Sequence, residues 1–226
     1  MMAANADDNL QLPHVTVYGT ATAEVIPDQM IWSLKAKNQG LVLENVAKEH
    51  MKIVKDLLRL LRDNKVNEKT IQTSRMEFGE NWEYRSSTRV REGYFASTQI
   101  SFKITDLDLY SKLWLEMAKM PAASVENVAF DHTKRIDYQN ETRQRAILAA
   151  REKAVLMAKA VGAEIGEALL VEEDLSIETP WLVNSVNNNL RALPDGEPAR
   201  AEGVAPGTIP IRIRVRAAFR LLANPK

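Results

Sequence analysis

The sequence has no cysteine among its 226 residues. That excludes thiol nucleophiles, disulfides, iron–sulfur clusters and Cys-ligated zinc. It fits an oxidising compartment without requiring one. An excess of one charge is missing too, since 30 Lys and Arg stand against 30 Asp and Glu. No long-range field draws the chain to nucleic acid or membrane, and copies of it are not held apart by net charge. No apolar run approaches the ~18 residues of a membrane-spanning helix. The Walker loop, the G-x-G-x-x-G turn and the G-x-S-x-G elbow are all absent.

What is present is an ordinary globular composition, 45% hydrophobic and 27% charged. A chain of this length buries roughly 70% of its unfolded surface and needs neither metal nor disulfide to fold. Residues 1–13 are polar and end in Pro13, which predicts a flexible arm. Ala4-Asn5-Ala6 within it fits either the small-x-small end of an export signal or an Ala-rich polar start.

Alternation marks the strands. Val15, Val17, Gly19, Ala21, Ala23 and Val25 share one face, as do Met30, Trp32, Leu34 and Ala36. Pro27-Asp28 between them predicts a structural turn closing a β-hairpin, because proline pre-sets φ and aspartate bonds nearby amides. Apolar residues from Leu43 to Leu61 recur every three or four positions, predicting a helix over about 41–63. A strand is expected over 70–84, with a bulge near 72–75 to bring Ile71 into step with Met76, Phe78, Trp82 and Tyr84. Tyr94 to Ile104 alternates again. A short helix over 106–119, a strand over 124–132 and an Ala-rich helix over 137–161 follow, then a strand over 168–175. Residues 176–207 carry Asn187-Asn188-Asn189, Pro194-Asp195-Gly196 and Pro206-Gly207, the composition of a long loop. The chain closes on a strand with Ile209, Ile211, Ile213, Val215, Ala217 and Phe219 on one face. The order ββαββαβαββ points to an α+β fold with largely antiparallel sheet, as one domain over 14–226.

The search for chemistry finds little. His14, His50 and His132 fall in separate elements, never at the i, i+4 spacing of paired ligands. His50 lies on an apolar helix stripe, where a packed histidine is the commoner case. General acid–base work needs two carboxylates held across a cleft in unlike environments. Glu172-Glu173-Asp174 alternate between strand faces, and Asp106 has a helix to cap. No catalytic residue, cofactor or metal ligand is therefore expected. One feature is unusual: Arg212, Arg214, Arg216 and Arg220 stand in a row on the outer face of the last strand. Arginine forks suit carboxylates. The row has a bland reading as a solvated or protected face. It has a sharper one as an interface that meets acids such as Glu172, Glu173 and Asp174 on a neighbouring copy. Without interleaved aromatics it does not read as a nucleic-acid surface.

Several segments together resemble the SIMPL domain family, also called DUF541. They are Val15-Thr16-Val17-Tyr18-Gly19 with Ile26-Pro27-Asp28, Ile71-Gln72-Thr73, Gly93-Tyr94 with Ala96-Ser97, and Asp106-Leu107. The helix Ala146…Ala150…Lys153-Ala154…Ala158…Gly162 and the strand entry Pro206-Gly207-x-Ile209 complete the set. Asn64-Lys65, Thr70 and Trp181 depart from the family's usual residues at their positions. The resemblance implies, for bacterial members, export to the periplasm or cell envelope and homo-oligomers in some cases. For animal relatives it implies cytosolic signalling adaptors. It brings no common catalytic residue or cofactor. The leading expectation is a non-enzymatic envelope protein that self-assembles as a scaffold or stress-protective factor. The alternatives are a small-molecule or peptide binder with the 176–207 loop as a lid and Trp181 as its contact, and a cytosolic adaptor-like protein.

Overall fold

A computed structural model describes residues 12–85, 88–175 and 206–223. The strands are β1 (His14–Val25), β2 (Gln29–Gly40), β3 (Gln72–Thr73), β4 (Glu77–Arg85), β5 (Thr88–Ile104), β6 (Ala123–Asp131), β7 (Ala163–Glu173) and β8 (Ile209–Ala223). Three α-helices accompany them: α1 (Leu43–Asp63), α2 (Leu109–Ala118) and α3 (Arg135–Ala160). The fold is α+β with antiparallel sheets, as the alternation and periodicity imply. Where the sequence reads as one domain, the chain forms two compact units: one built from β1, α3, β7 and β8, the other from β2 to β6 with α1 and α2.

The first unit is a three-stranded sheet, β1-β8-β7, covered on one face by α3. β1 pairs antiparallel with β8 along its whole length, from His14↔Arg220 to Val25↔Ile209. Thr142, Ala146, Ala150, Ala154 and Ala158 recur every four residues on α3 and are all buried. Their shortness lets the helix backbone reach the sheet. At Gly19 the approach is so close that a Cβ would lie 2.0 Å from the carbonyl oxygen of Ala146. Val15, Val17, Ala217 and Phe219 pack around Ala150 and Ala154. The alternation of β1 and β8 thus has a direct cause, since every second residue faces α3, at its alanines or at Tyr138.

The second unit is a five-stranded sheet. β5 pairs with β2 on one side and with β3 and then β4 on the other, and β6 lies beyond β2. Leu57 and Leu61 of α1 and Leu113 and Met117 of α2 bury Trp32, Leu34, Ile100 and Phe102. Trp32 stacks on Phe102 at 5.9 Å and meets Tyr110 and Trp114 at tilted angles. Burying such side chains is worth roughly 1.5–3 kcal/mol each, so this cluster anchors the unit.

Two expectations from the sequence are corrected here. β1 and β2 do not form a hairpin: they belong to different sheets, one paired with β8 and the other with β5 and β6. Pro27 is buried, and the Asp28 carboxylate accepts a hydrogen bond from the Thr133 N–H at 2.7 Å rather than from its own turn. The Asp28 N–H donates to the Asp131 carbonyl at 3.1 Å. The dipeptide therefore ties the start of β2 to the end of β6. The expected single strand over 70–84 is broken into a 3₁₀ turn (Glu68–Thr70), β3 and β4. Ser74 ends β3 by bonding the Gln99 backbone, and the bulge falls at Asn81/Trp82 instead.

Candidate functional site

The outer face of the first sheet carries the arginine row. In the β7–β8 register Glu172 stands opposite Arg216, so acids and arginines come together within one chain. Arg216 lies 3.7 Å from Glu172, Arg214 3.6 Å from Asp174, and Arg220 3.1 Å from Glu167. Arg214 also covers the Tyr18 ring at 4.1 Å. A hydrogen bond from its own backbone and one from Arg220 hold the Glu167 carboxyl below the usual range. Glu173 points to the other face and pairs with Arg143 of α3 at 2.7 Å. The sequence places these acids on a neighbouring copy; the structure supplies them from the adjacent strand. Arg212, opposite Thr22 and beyond the end of β7, is the exposed arginine of the row with no ion pair among the described residues.

The β4–β5 hairpin shows the opposite condition. Phe78 is 57% exposed, Trp82 40% and Tyr84 75%. They alternate along β4 on one face with Glu80, whose carboxylate accepts from the Trp82 indole N–H at 3.1 Å. Across the ladder Arg91 bonds Glu80 at 3.1 Å and lies over Tyr94, while Arg89 lies over Trp82 at 4.5 Å. Among the described residues β4 pairs only with β5, which leaves its other edge free. The hairpin thus exposes large rings held in place by arginines, beside an unpaired strand edge.

His50 is the buried histidine, at the contact of α1 with β2 and β5. Asn38 spends its amide N–H on the Val46 carbonyl, so its oxygen accepts from His50 Nδ1 at 2.8 Å. His50 Nε2 then accepts from the Thr98 hydroxyl at 2.8 Å. Burial lowers its pKa, and both ring nitrogens are occupied. It is a packed histidine that fastens helix to sheet. Among the described residues no three His, Asp or Glu side chains are grouped to hold a metal ion.

The outer face of the second sheet holds a hollow of about 360 Å³, lined mostly by polar residues of β2, β3, β5 and β6 together with Leu34 and Ile100. Trp181 and the 176–205 part of the expected loop lie outside the described residues, as do residues 1–11. Asp28 is bonded to Thr133 and lies 3.6 Å from His132.

Residues 15–219 match the profile of SIMPL, described as a protein of unknown function (DUF541). The chain belongs to the SIMPL family. The matched span starts on β1 and ends on β8, so the SIMPL region takes in both units. The chain is also similar to the uncharacterized protein YggE of Escherichia coli (strain K12). The two are 21% identical over 179 residues, covering 79% of this chain and 73% of the relative. The proteins of that name in Escherichia coli O157:H7 and Shigella flexneri match equally. Among the described residues of this SIMPL chain, no helix is long and apolar enough to cross a membrane.

The hairpin face is the feature that sequence reasoning missed. Phe78, Trp82 and Tyr84 read as one face of a strand in step with the core. Their exposure follows from β4 running along the outer part of β5, past the reach of α1. The one signal was Glu80 and Glu83 set between the rings.

Proposed function

We propose that this protein is a non-enzymatic component of the cell envelope that self-assembles through its β4–β5 hairpin and acts as a scaffold or protective factor. The observation that carries this reading is the exposed ring face of Phe78, Trp82 and Tyr84 on a strand with a free edge. Trp, Tyr and Arg are the residues that concentrate binding energy at protein interfaces. An unpaired edge offers backbone donors and acceptors to a further strand. A second copy is the fitting occupant, because it brings the same exposed rings and the same unpaired edge. A copy turned by half a revolution sets rings against rings and edge against edge. Near-zero net charge removes the long-range repulsion that would oppose it. The envelope location is supported by the absence of cysteine and by what the family resemblance implies for bacterial members.

The test is the mass in solution. Light scattering at micromolar protein is expected to give a species heavier than the 25.4 kDa chain. A monomer under those conditions overturns the reading.

A further inference from the structure

The hollow on the second sheet is built in two rungs. At one level Ser33, Ser101 and Gln72 of the lining stand side by side across β2, β5 and β3, flanked by Asn127 of β6. One step along, Lys35 and Gln99 are opposite each other, with Ser74 bonded to the Gln99 backbone at the rim. Glu126, beside the register shift of β6, leans across the second rung. It lies 3.8 Å from Lys35 and accepts from Gln99 Nε2 at 3.4 Å. Among the described residues no hydrogen bond takes up the side chains of Ser33, Gln72 or Ser101. The hollow therefore presents hydroxyls and amides, each able to give and take hydrogen bonds, together with Leu34 and Ile100, around one carboxylate whose charge the flanking Lys35 balances.

From this lining we infer that the hollow is a binding site for a neutral sugar, free or as the end of a glycan chain. Each competing ligand class lacks its partner. A phosphate needs a surplus of positive charge, and Lys35 beside Glu126 leaves none. A nucleobase needs a ring to stack on, and the lining contains none. A peptide strand needs a free backbone edge, and β2 and β5, which form the floor, are paired on both sides. A sugar asks instead for side-chain donors and acceptors in alternation, and a carboxylate that accepts from two adjacent hydroxyls is its strongest anchor. The volume falls at the lower end of the ~300–1,000 Å³ range of small-molecule sites, which suits one or two rings. Without an aromatic platform the affinity is weak, in the millimolar range. This inference is independent of self-assembly.

Saturation-transfer NMR of the full chain with maltose, N-acetylglucosamine and soluble dextran tests it. Transfer to at least one of the three is expected. Signal from maltose or N-acetylglucosamine marks a free-sugar site, and signal from dextran alone marks a chain-end site. Glu126→Gln, which keeps the shape and removes the charged acceptor, is expected to weaken binding about tenfold. Ser101→Val, which suits a strand and fills the hollow, is expected to abolish it. Should Ser101→Val fail to fold, the exposed Glu126→Gln decides alone. No transfer from any of the three, or transfer unchanged in Glu126→Gln, overturns the assignment.

Discussion

The arginine row of β8 and the ring face of β4 make an instructive pair. The row lies on the outer face of its sheet, the rings continue the core-facing side of theirs with Phe78 opposite Ala96, and both are conspicuous in the sequence. Three of the four arginines are matched by acids on or just past the neighbouring strand, at 3.1 to 3.7 Å. The rings of β4 are steadied by Arg89 and Glu80 yet remain exposed, beside a strand edge with no partner among the described residues. A charged row satisfied inside its own chain has little left to offer a partner, because exposed ion pairs are worth only about 0–1 kcal/mol. Exposed aromatic area retains its full reason to be covered. The proposed self-assembly is therefore assigned to the second face.

The comparison breaks most sharply on the other side of β1. Gly19→Ala sets a methyl against the Ala146 carbonyl and the Ala150 backbone, which cannot yield without moving α3. A loss of about 3 kcal/mol is expected by chemical denaturation, the upper end of overpacking costs. A loss under about 0.5 kcal/mol would mean that α3 does not sit on β1 as described. If the inner face holds the first unit together, its outer arginines are free to vary.

A smaller effect is expected from pH. The folded pKa of His50 lies below its unfolded value near 6.5. As pH falls through about 6.5 the unfolded chain takes up a proton that the folded chain declines, so stability drops and then levels off below the folded pKa. Denaturation midpoints at pH 7.5 and pH 5 measure this drop, and His50→Gln is expected to shrink it. An undiminished slope in His50→Gln would assign the pH dependence to the carboxylates. Either result leaves the exposed faces untouched, which separates core titration from surface assembly.

The smallest effect is expected on the arginine face. Arg214→Glu with Arg216→Glu removes two partly exposed pairs and is expected to cost about 1 kcal/mol. The mass in solution is expected to stay unchanged. A fall in mass would return the interface to this face.

Much of the fold was legible in residue spacing. The α1 stripe, the Ala-rich α3 and the alternation of β8 each predict their element to within a few residues, because burial on one face imposes the period. Pairing was less legible. β1 meets β8 across nearly the whole chain, and nothing local in Val15–Val25 distinguishes that partner from β2. Pro27-Asp28 has turn chemistry, but the Asp28 carboxylate finds its amide at Thr133, 105 positions away. The candidate sites divide in the same way. Arginines and acids were both visible as residues, while their meeting within one chain depends on the β7–β8 register. The Ser33–Ser101–Gln72 rung depends on three strands brought together, and no window of sequence contains it.

The most direct test sets the two faces against each other. Sedimentation of the parent, of Trp82→Ser with Tyr84→Ser, and of Arg214→Glu with Arg216→Glu at equal micromolar concentration compares them in one experiment. The expected result is an assembled parent, an equally assembled arginine variant and a lighter hairpin variant whose unfolding midpoint matches the parent's. A hairpin variant as heavy as the parent, or an arginine variant that alone becomes lighter, would contradict the assignment of self-assembly to β4.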